Sequence, residues 1–168
     1  MRVLKICLVV VCLATALVCN AQSGYKGSVE VGTDLSFDTS TSFKRRNNTA
    51  SFAIATVHGY QFNSHFFVGV GVEYNANQTS YLPIFGDARL SLTMGEWHPF
   101  LDIRIGGEAL DDETQGAYFN PSIGVLRPLN DQLGIYASLG YTNMAGAKYK
   151  SSKWQNCAAM TIRVGIQF

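Results

Sequence analysis

Charge is scarce in this chain: Asp, Glu, Lys and Arg make up 15% of its 168 residues, against about 25% in an ordinary soluble domain. Proline is scarce as well, with four in all. Long hydrophobic runs are confined to the first residues, where Ile6 to Val18 is almost purely apolar. That run is shorter than the roughly 20 residues a membrane-crossing helix needs. No later run exceeds a few apolar residues, so a membrane crossing by the rest of the chain requires strands. A formal net charge of +1 gives no basis for a general nucleic-acid binder. An apolar content of 47% excludes a chain too polar to fold.

What is present at the start has three parts. Arg2 and Lys5 are positive, the apolar run follows, and Cys19-Asn20-Ala21 then places small residues three and one before a cut at Gln22. This is the pattern of a secretory signal peptide. It predicts two segments: a signal peptide over 1–21 and one domain over 22–168. Cleavage removes Arg2 and Lys5, taking Lys plus Arg from 13 to 11 against 12 acidic residues, a net charge of −1. It also removes Cys7, Cys12 and Cys19, leaving Cys157 without an intramolecular disulfide partner. Small secreted domains often rely on disulfides, so this domain must be held by other means.

The domain is rich in Gly (16), Phe (10) and Tyr (8), a composition that favours strands. From Tyr25 the chain alternates: Val29, Val31 and Leu35 lie on one side, and Lys26, Glu30 and Asp34 on the other. Such period-two alternation marks a strand with two unlike faces. It recurs over Ser51–Phe62, Phe66–Asn75, Leu82–Leu92, Phe100–Glu108, Ala117–Val125, Leu133–Tyr141 and Ala158–Phe168. His58 falls on the apolar side of the second run, which predicts a bulge or a face switch there. Short turns follow the even runs. Longer connections follow the odd ones, at 38–50, 76–80, 109–115 and 143–156. Short turns at one rim and longer loops at the other describe an all-β, eight-stranded antiparallel up-and-down transmembrane β-barrel.

The face that carries charge decides between a soluble and a membrane barrel. The polar face holds Lys26, Glu30, Asp34, Glu73, Asp87, Arg89, Asp102, Arg104, Glu108 and Arg163, together with many small residues. An eight-stranded barrel has an interior only wide enough for its own side chains. Four cations and six anions can tile it as a paired network, with the apolar face toward lipid. A buried ion without a partner is costly.

With these features the chain resembles the small bacterial outer-membrane β-barrels of the OmpA-transmembrane-domain and OmpX kind. The resemblance covers nearly all of the domain. It rests on the signal peptide, the eight amphipathic strands and the ending Ile162-Arg163-Val164-Gly165-Ile166-Gln167-Phe168. In that family a terminal aromatic preceded by alternate apolar residues is read by the outer-membrane assembly machinery. Met160, Ile162, Val164, Ile166 and Phe168 match that signal. Gly59-Tyr60-Gln61-Phe62, a short turn, and Phe66 to Gly71 resemble a hairpin common in the family. The resemblance implies the outer membrane of a Gram-negative bacterium, a bare barrel without a peptidoglycan-binding domain, outer-membrane lipid as surroundings, and no enzymatic activity or cofactor.

Aromatic residues such as Tyr60, Phe62, Phe66, Tyr74, Trp97 and Tyr141 fall near strand ends, where amphipathic rings suit a lipid–water boundary. Lys44, Arg45 and Arg46 follow the first strand, and Lys148, Lys150 and Lys153 follow the seventh. Closure of strand eight onto strand one makes these loops neighbours. Their six cations point to lipopolysaccharide phosphates as a partner, and so to a structural or adhesive surface role. Two alternatives stay open. A soluble secreted lipocalin-like barrel would turn its apolar face inward. A lipid-modifying enzyme would need a catalytic group, yet none of His58, His65 and His98 stands in a His-x-Ser pair. Mass spectrometry of the chain recovered from a Gram-negative host is expected to show Gln22 as its first residue; a species retaining residues 1–21 would refute the processing site.

Overall fold

The computed structural model describes residues 24–36, 50–76, 82–108, 116–148 and 154–168; the predicted signal peptide, Lys44, Arg45, Arg46, Lys150 and Lys153 lie outside them. Eight strands follow one another: β1 (Tyr25–Ser36), β2 (Ala50–Gln61), β3 (Phe66–Ala76), β4 (Pro83–Ser91), β5 (His98–Glu108), β6 (Ala117–Pro128), β7 (Gly134–Lys148) and β8 (Trp154–Gln167). Each pairs antiparallel with the next, and β8 closes onto β1, giving one closed barrel. Closure leaves no unpaired edge, the condition for strands to cross hydrocarbon.

The register also sets the stagger. The line of paired residues starts at Gly24, whose carbonyl accepts from Gln61 N–H, and passes through Phe67, Arg89, Asp102, Ser122, Gly140 and Thr161. It returns to β1 at Asp34, ten residues farther along. A line of neighbours therefore climbs from the short-turn rim as it passes around the wall, as strand tilt requires.

Short turns join β2–β3, β4–β5 and β6–β7, and side-chain amides build two of them. Asn63 Oδ1 accepts from the N–H groups of His65 and Phe66, both at 2.8 Å. Asn130 Oδ1 accepts from Gln132 N–H at 2.9 Å and Leu133 N–H at 2.7 Å. Asn closes such turns by replacing a backbone acceptor. Gly95 takes φ +62° in the third, a conformation glycine adopts without steric cost.

Burial runs opposite to that of a soluble barrel. Val70 is 65% exposed and Ile105 63%, while Glu73 and Asp102 are at 0%. The outward wall is an apolar belt, and the charged side chains occupy the lumen. A lipocalin-like arrangement, with an apolar interior and ionic exterior, is the reverse of what the chain adopts. Aromatic side chains ring both margins of the belt. Tyr60, Phe62, Phe66 and Trp97 stand at the short-turn rim, and Phe52, Tyr74 and Tyr141 at the other; all seven are exposed.

Two expectations need correction. The second strand has no bulge or face switch at His58, since its register with β1 and β3 continues unbroken through that residue. The connection before β8 is also shorter than 143–156. β7 continues to Lys148 and pairs with β8 from Trp154, through a register irregularity between Met144 and Ala147. Lys148 is therefore a strand residue and not a loop residue. The run Met144-Ala145-Gly146-Ala147 shows no alternation of polar and apolar residues and so hid this, because a hairpin ladder can extend into water where no apolar face is needed.

Val70, near the middle of β3, tests the outward assignment. Val70→Arg is expected to lower stability in lipid vesicles by about 2–4 kcal/mol, the cost of a cation on the lipid face near the midplane, read as a lower urea midpoint. An unchanged midpoint would remove the apolar wall from lipid.

Candidate functional site

The candidate site is the lumen. Inward positions alternate along every strand, so residues distant in sequence meet across the cylinder. Two arginines serve as hubs. Arg104, on β5, binds both carboxylate oxygens of Glu30 through its Nη atoms. Its Nε donates to Asp102 Oδ2 at 3.0 Å and lies 3.5 Å from Asp87 Oδ2. Arg163, on β8, donates from Nη1 to Asp34 at 2.6 Å and from Nη2 to both oxygens of Glu73 at 3.0 Å. Its Nε is 3.8 Å from Glu30, which therefore links the two hubs. Glu30 Oε2 also accepts from the Tyr136 hydroxyl at 2.7 Å, and Asp34 Oδ2 from Asn75 at 2.5 Å. Asn120 donates to Thr142 at 2.7 Å and to Thr161 at 3.3 Å. Charge-assisted pairs of this kind are the strong ones, and every charged member is buried.

Arg89 is held differently. Its Nε is 3.5 Å from Asp102 Oδ1. Its guanidinium carbon lies 4.5 Å from the Phe100 ring centre, 5.1 Å from Tyr136 and 5.9 Å from Phe67. Arg104 likewise lies 5.2 Å from the Phe85 ring centre. An aromatic ring face attracts a cation, more strongly once water is removed.

Of the ten charges expected inside, eight lie in this lumen: Glu30, Asp34, Glu73, Asp87, Arg89, Asp102, Arg104 and Arg163. Lys26 does not join them. It sits at the short-turn mouth, where its Nζ donates to the Asp131 carbonyl at 3.3 Å. A long cationic side chain one step from the rim reaches water and avoids desolvation. The Glu108 side chain lies outside the described ones. The buried set therefore holds five carboxylates against three guanidiniums.

The lumen also holds five rings that share the strand parity of the charged residues. Phe67, Phe85, Phe100, Tyr118 and Tyr136 all point inward and are buried. The register sets glycines beside most of them. Phe85 is paired with Gly71 and Gly106, Tyr118 with Gly106, Phe100 with Gly124, and Tyr136 with Gly165. Gly71, Gly124 and Gly165 each let the paired ring lie across the neighbouring strand, whereas Gly106 has the backbone of Ile84 and Phe85 against it. A methyl group on Gly71 would meet Phe85 at 2.6 Å, and one on Gly165 would meet Tyr136 at 2.5 Å. One on Gly124 would collide with Phe100.

The histidines stand apart from the lumen network. His65 Nδ1 donates to the Ser91 carbonyl at 2.9 Å. His58 sits on the outer wall near the short-turn rim, between the Tyr25 hydroxyl (2.6 Å from Nδ1) and Thr56 Oγ1 (2.9 Å from Nε2). Thr56 gives its proton to the Ser28 carbonyl at 3.0 Å. Nε2 therefore donates to Thr56, and Nδ1 accepts from Tyr25. This chain of bonds keeps a polar ring satisfied on an apolar wall. Among the described residues no group of His, Cys, Asp or Glu is arranged to hold a metal ion.

The C-terminal run closes the cylinder. Met160, Ile162, Val164 and Ile166 point outward and are exposed. Phe168 exchanges backbone hydrogen bonds with Gly27, at 2.7 and 2.8 Å.

Solved structures share this architecture. The Neisserial surface protein A (NspA) crystal structure superposes with a TM-score of 0.66 at 12% identity, covering 88% of this chain and 97% of that one. The solution structure of outer membrane protein H (OprH) of P. aeruginosa in DHPC micelles gives 0.54 at 15% identity, with coverage of 88% and 100%. The N-terminal β-barrel domain of Pseudomonas aeruginosa OprF gives 0.51 at 12% identity, again covering 88% and 100%. No protein-family profile and no curated protein sequence matches the chain. The chain thus has the fold of the small eight-stranded outer-membrane barrels.

Arg104→Met tests the network. It leaves Glu30 and Asp102 short of a partner, and the expected loss is about 3–5 kcal/mol, measured by urea unfolding in detergent. Adding Glu30→Gln to that variant is expected to recover part of the loss. Strictly additive effects would show that the two groups do not act on each other.

Proposed function

We propose that the mature chain is a non-enzymatic barrel of the Gram-negative outer membrane, with a structural or surface-interaction role and contact with lipopolysaccharide through its basic loops. The observation that carries this reading is the inversion of faces. An apolar, aromatic-rimmed wall suits hydrocarbon, and a lumen filled by paired ions and rings leaves no wide channel. Catalysis on a lipid would need a positioned base or nucleophile. The lumen arginines are instead committed to carboxylates, and His58 and His65 to structural hydrogen bonds. The fold shared with outer-membrane barrels supports the location, as does the targeting segment read over 1–21. In this reading Met160, Ile162, Val164, Ile166 and Phe168 present the outward apolar pattern that the assembly machinery recognises.

Lipopolysaccharide contact rests on topology. β1 and β8 are adjacent, so the connections carrying Lys44, Arg45 and Arg46 and Lys150 and Lys153 leave neighbouring strands at one rim. Lys148 is the last residue of β7. Basic side chains pair with phosphate oxygens, and salt screens such exposed contacts. The test is binding of purified lipopolysaccharide to the detergent-solubilised barrel. Binding is expected to weaken as salt rises and to drop severalfold when the six basic residues are replaced by Gln. Equal binding by the two forms would refute the lipopolysaccharide contact, and recovery of the chain in the soluble periplasm would refute the outer-membrane location.

A further inference from the structure

The apolar wall is not uniform. One line of register partners carries only short side chains: Val31, Val164, Ala137, Val125 and Pro99, each paired with the next. The line above it is longer-limbed, running through Ile162, Leu139, Ile123, Leu101 and Leu90. The line below passes through Ile166 and Ile135 to Arg127. Short residues between two rows of bulky ones leave a furrow across five strands. Two shallow apolar grooves lie along it, of about 550 and 680 Å³, and both are lined by Val125 and Ala137. Because the lines of partners climb around the barrel, the furrow starts at the short-turn rim beside Pro99 and rises to mid-height at Val31.

Its lower end is marked by a charged pair of both signs. Arg127 lies 5.2 Å from the Trp97 ring centre, and its Nη2 is 3.3 Å from Glu96 Oε2. Trp97 and Arg127 line the groove of about 550 Å³ together with Val125, Ala137 and Val164. Both charged side chains of the pair are exposed, so their bond is weakly held and open to competition.

We propose that this furrow is a binding site for one phospholipid with a primary-amine headgroup, phosphatidylethanolamine. The inference rests on the membrane reading given above. The acyl chain lies along the furrow from Pro99 toward Val31. The phosphate takes charge-assisted hydrogen bonds from Arg127, and the ammonium donates to Glu96. The complementarity selects the headgroup. Phosphatidylcholine carries a quaternary ammonium with no N–H to donate, and phosphatidylglycerol has no cation for Glu96. Trp97 packs at the boundary between headgroup and chain, where an indole is favoured.

Trp97 reports on the site. The chain has two tryptophans, so Trp154→Phe leaves Trp97 as the sole emitter. The barrel is placed in phosphatidylcholine vesicles, and quenching is measured with equal small fractions of bromine-labelled phosphatidylethanolamine, phosphatidylcholine or phosphatidylglycerol. The expected result is a severalfold preference for phosphatidylethanolamine that disappears in Arg127→Gln and in Glu96→Gln. Ala137→Leu fills the furrow floor and is expected to weaken that lipid's quenching while the charged pair remains. Equal quenching by all three lipids would overturn the proposal and leave the barrel in the membrane. Absence of quenching by any of them would overturn the membrane reading as well.

Discussion

A charge placed inside a closed eight-stranded cylinder has no water to turn to, and this constraint organises the molecule. Among the described residues three guanidiniums and five carboxylates share one narrow lumen, and the pairing of Arg104 and Arg163 with acids from β1, β3 and β4 ties the wall together. Because hydrocarbon outside cannot drive the wall inward, the usual hydrophobic collapse is weak here. Internal complementarity, backbone closure and ring-on-glycine packing take its place. The ionic network is thus a structural core written in polar residues.

The same constraint shapes the aromatic side chains, which fall into two classes. Inward rings such as Phe85 and Tyr136 fill volume beside the arginines and need a glycine opposite. Outward rings such as Tyr60 and Trp97 mark the margins of the belt. Composition alone merges the two classes; only parity along the strand and pairing across it separate them. The outward polar chain of Tyr25, His58 and Thr56 follows a related rule. A polar group on an apolar wall is tolerated when its hydrogen bonds are completed locally.

Much of this was legible in the residues themselves. Period-two alternation placed Glu30, Asp34, Glu73, Asp87, Arg89, Asp102, Arg104 and Arg163 on one face, and all eight are in the lumen. Lys26 shares their parity but lies too near the rim to be held there, and parity carries no information about depth. Alternation ends at Met144-Ala145-Gly146-Ala147, which makes Lys148 look like a loop residue, whereas backbone pairing extends past the apolar belt. The expected break at His58 failed for a similar reason, since side-chain polarity was used where the hydrogen-bond ladder decides.

The order of residues along the chain by itself determined the number of strands, their alternation and which face bears charge. These depend on local spacing, since a strand turns one side chain to each face in succession. The pairing of Arg104 with Glu30, the rings laid over Gly71 and Gly165, and the row of short side chains from Pro99 to Val31 were decided only by the tertiary structure. Each depends on the stagger between strands, and one residue of slip would give every side chain different partners.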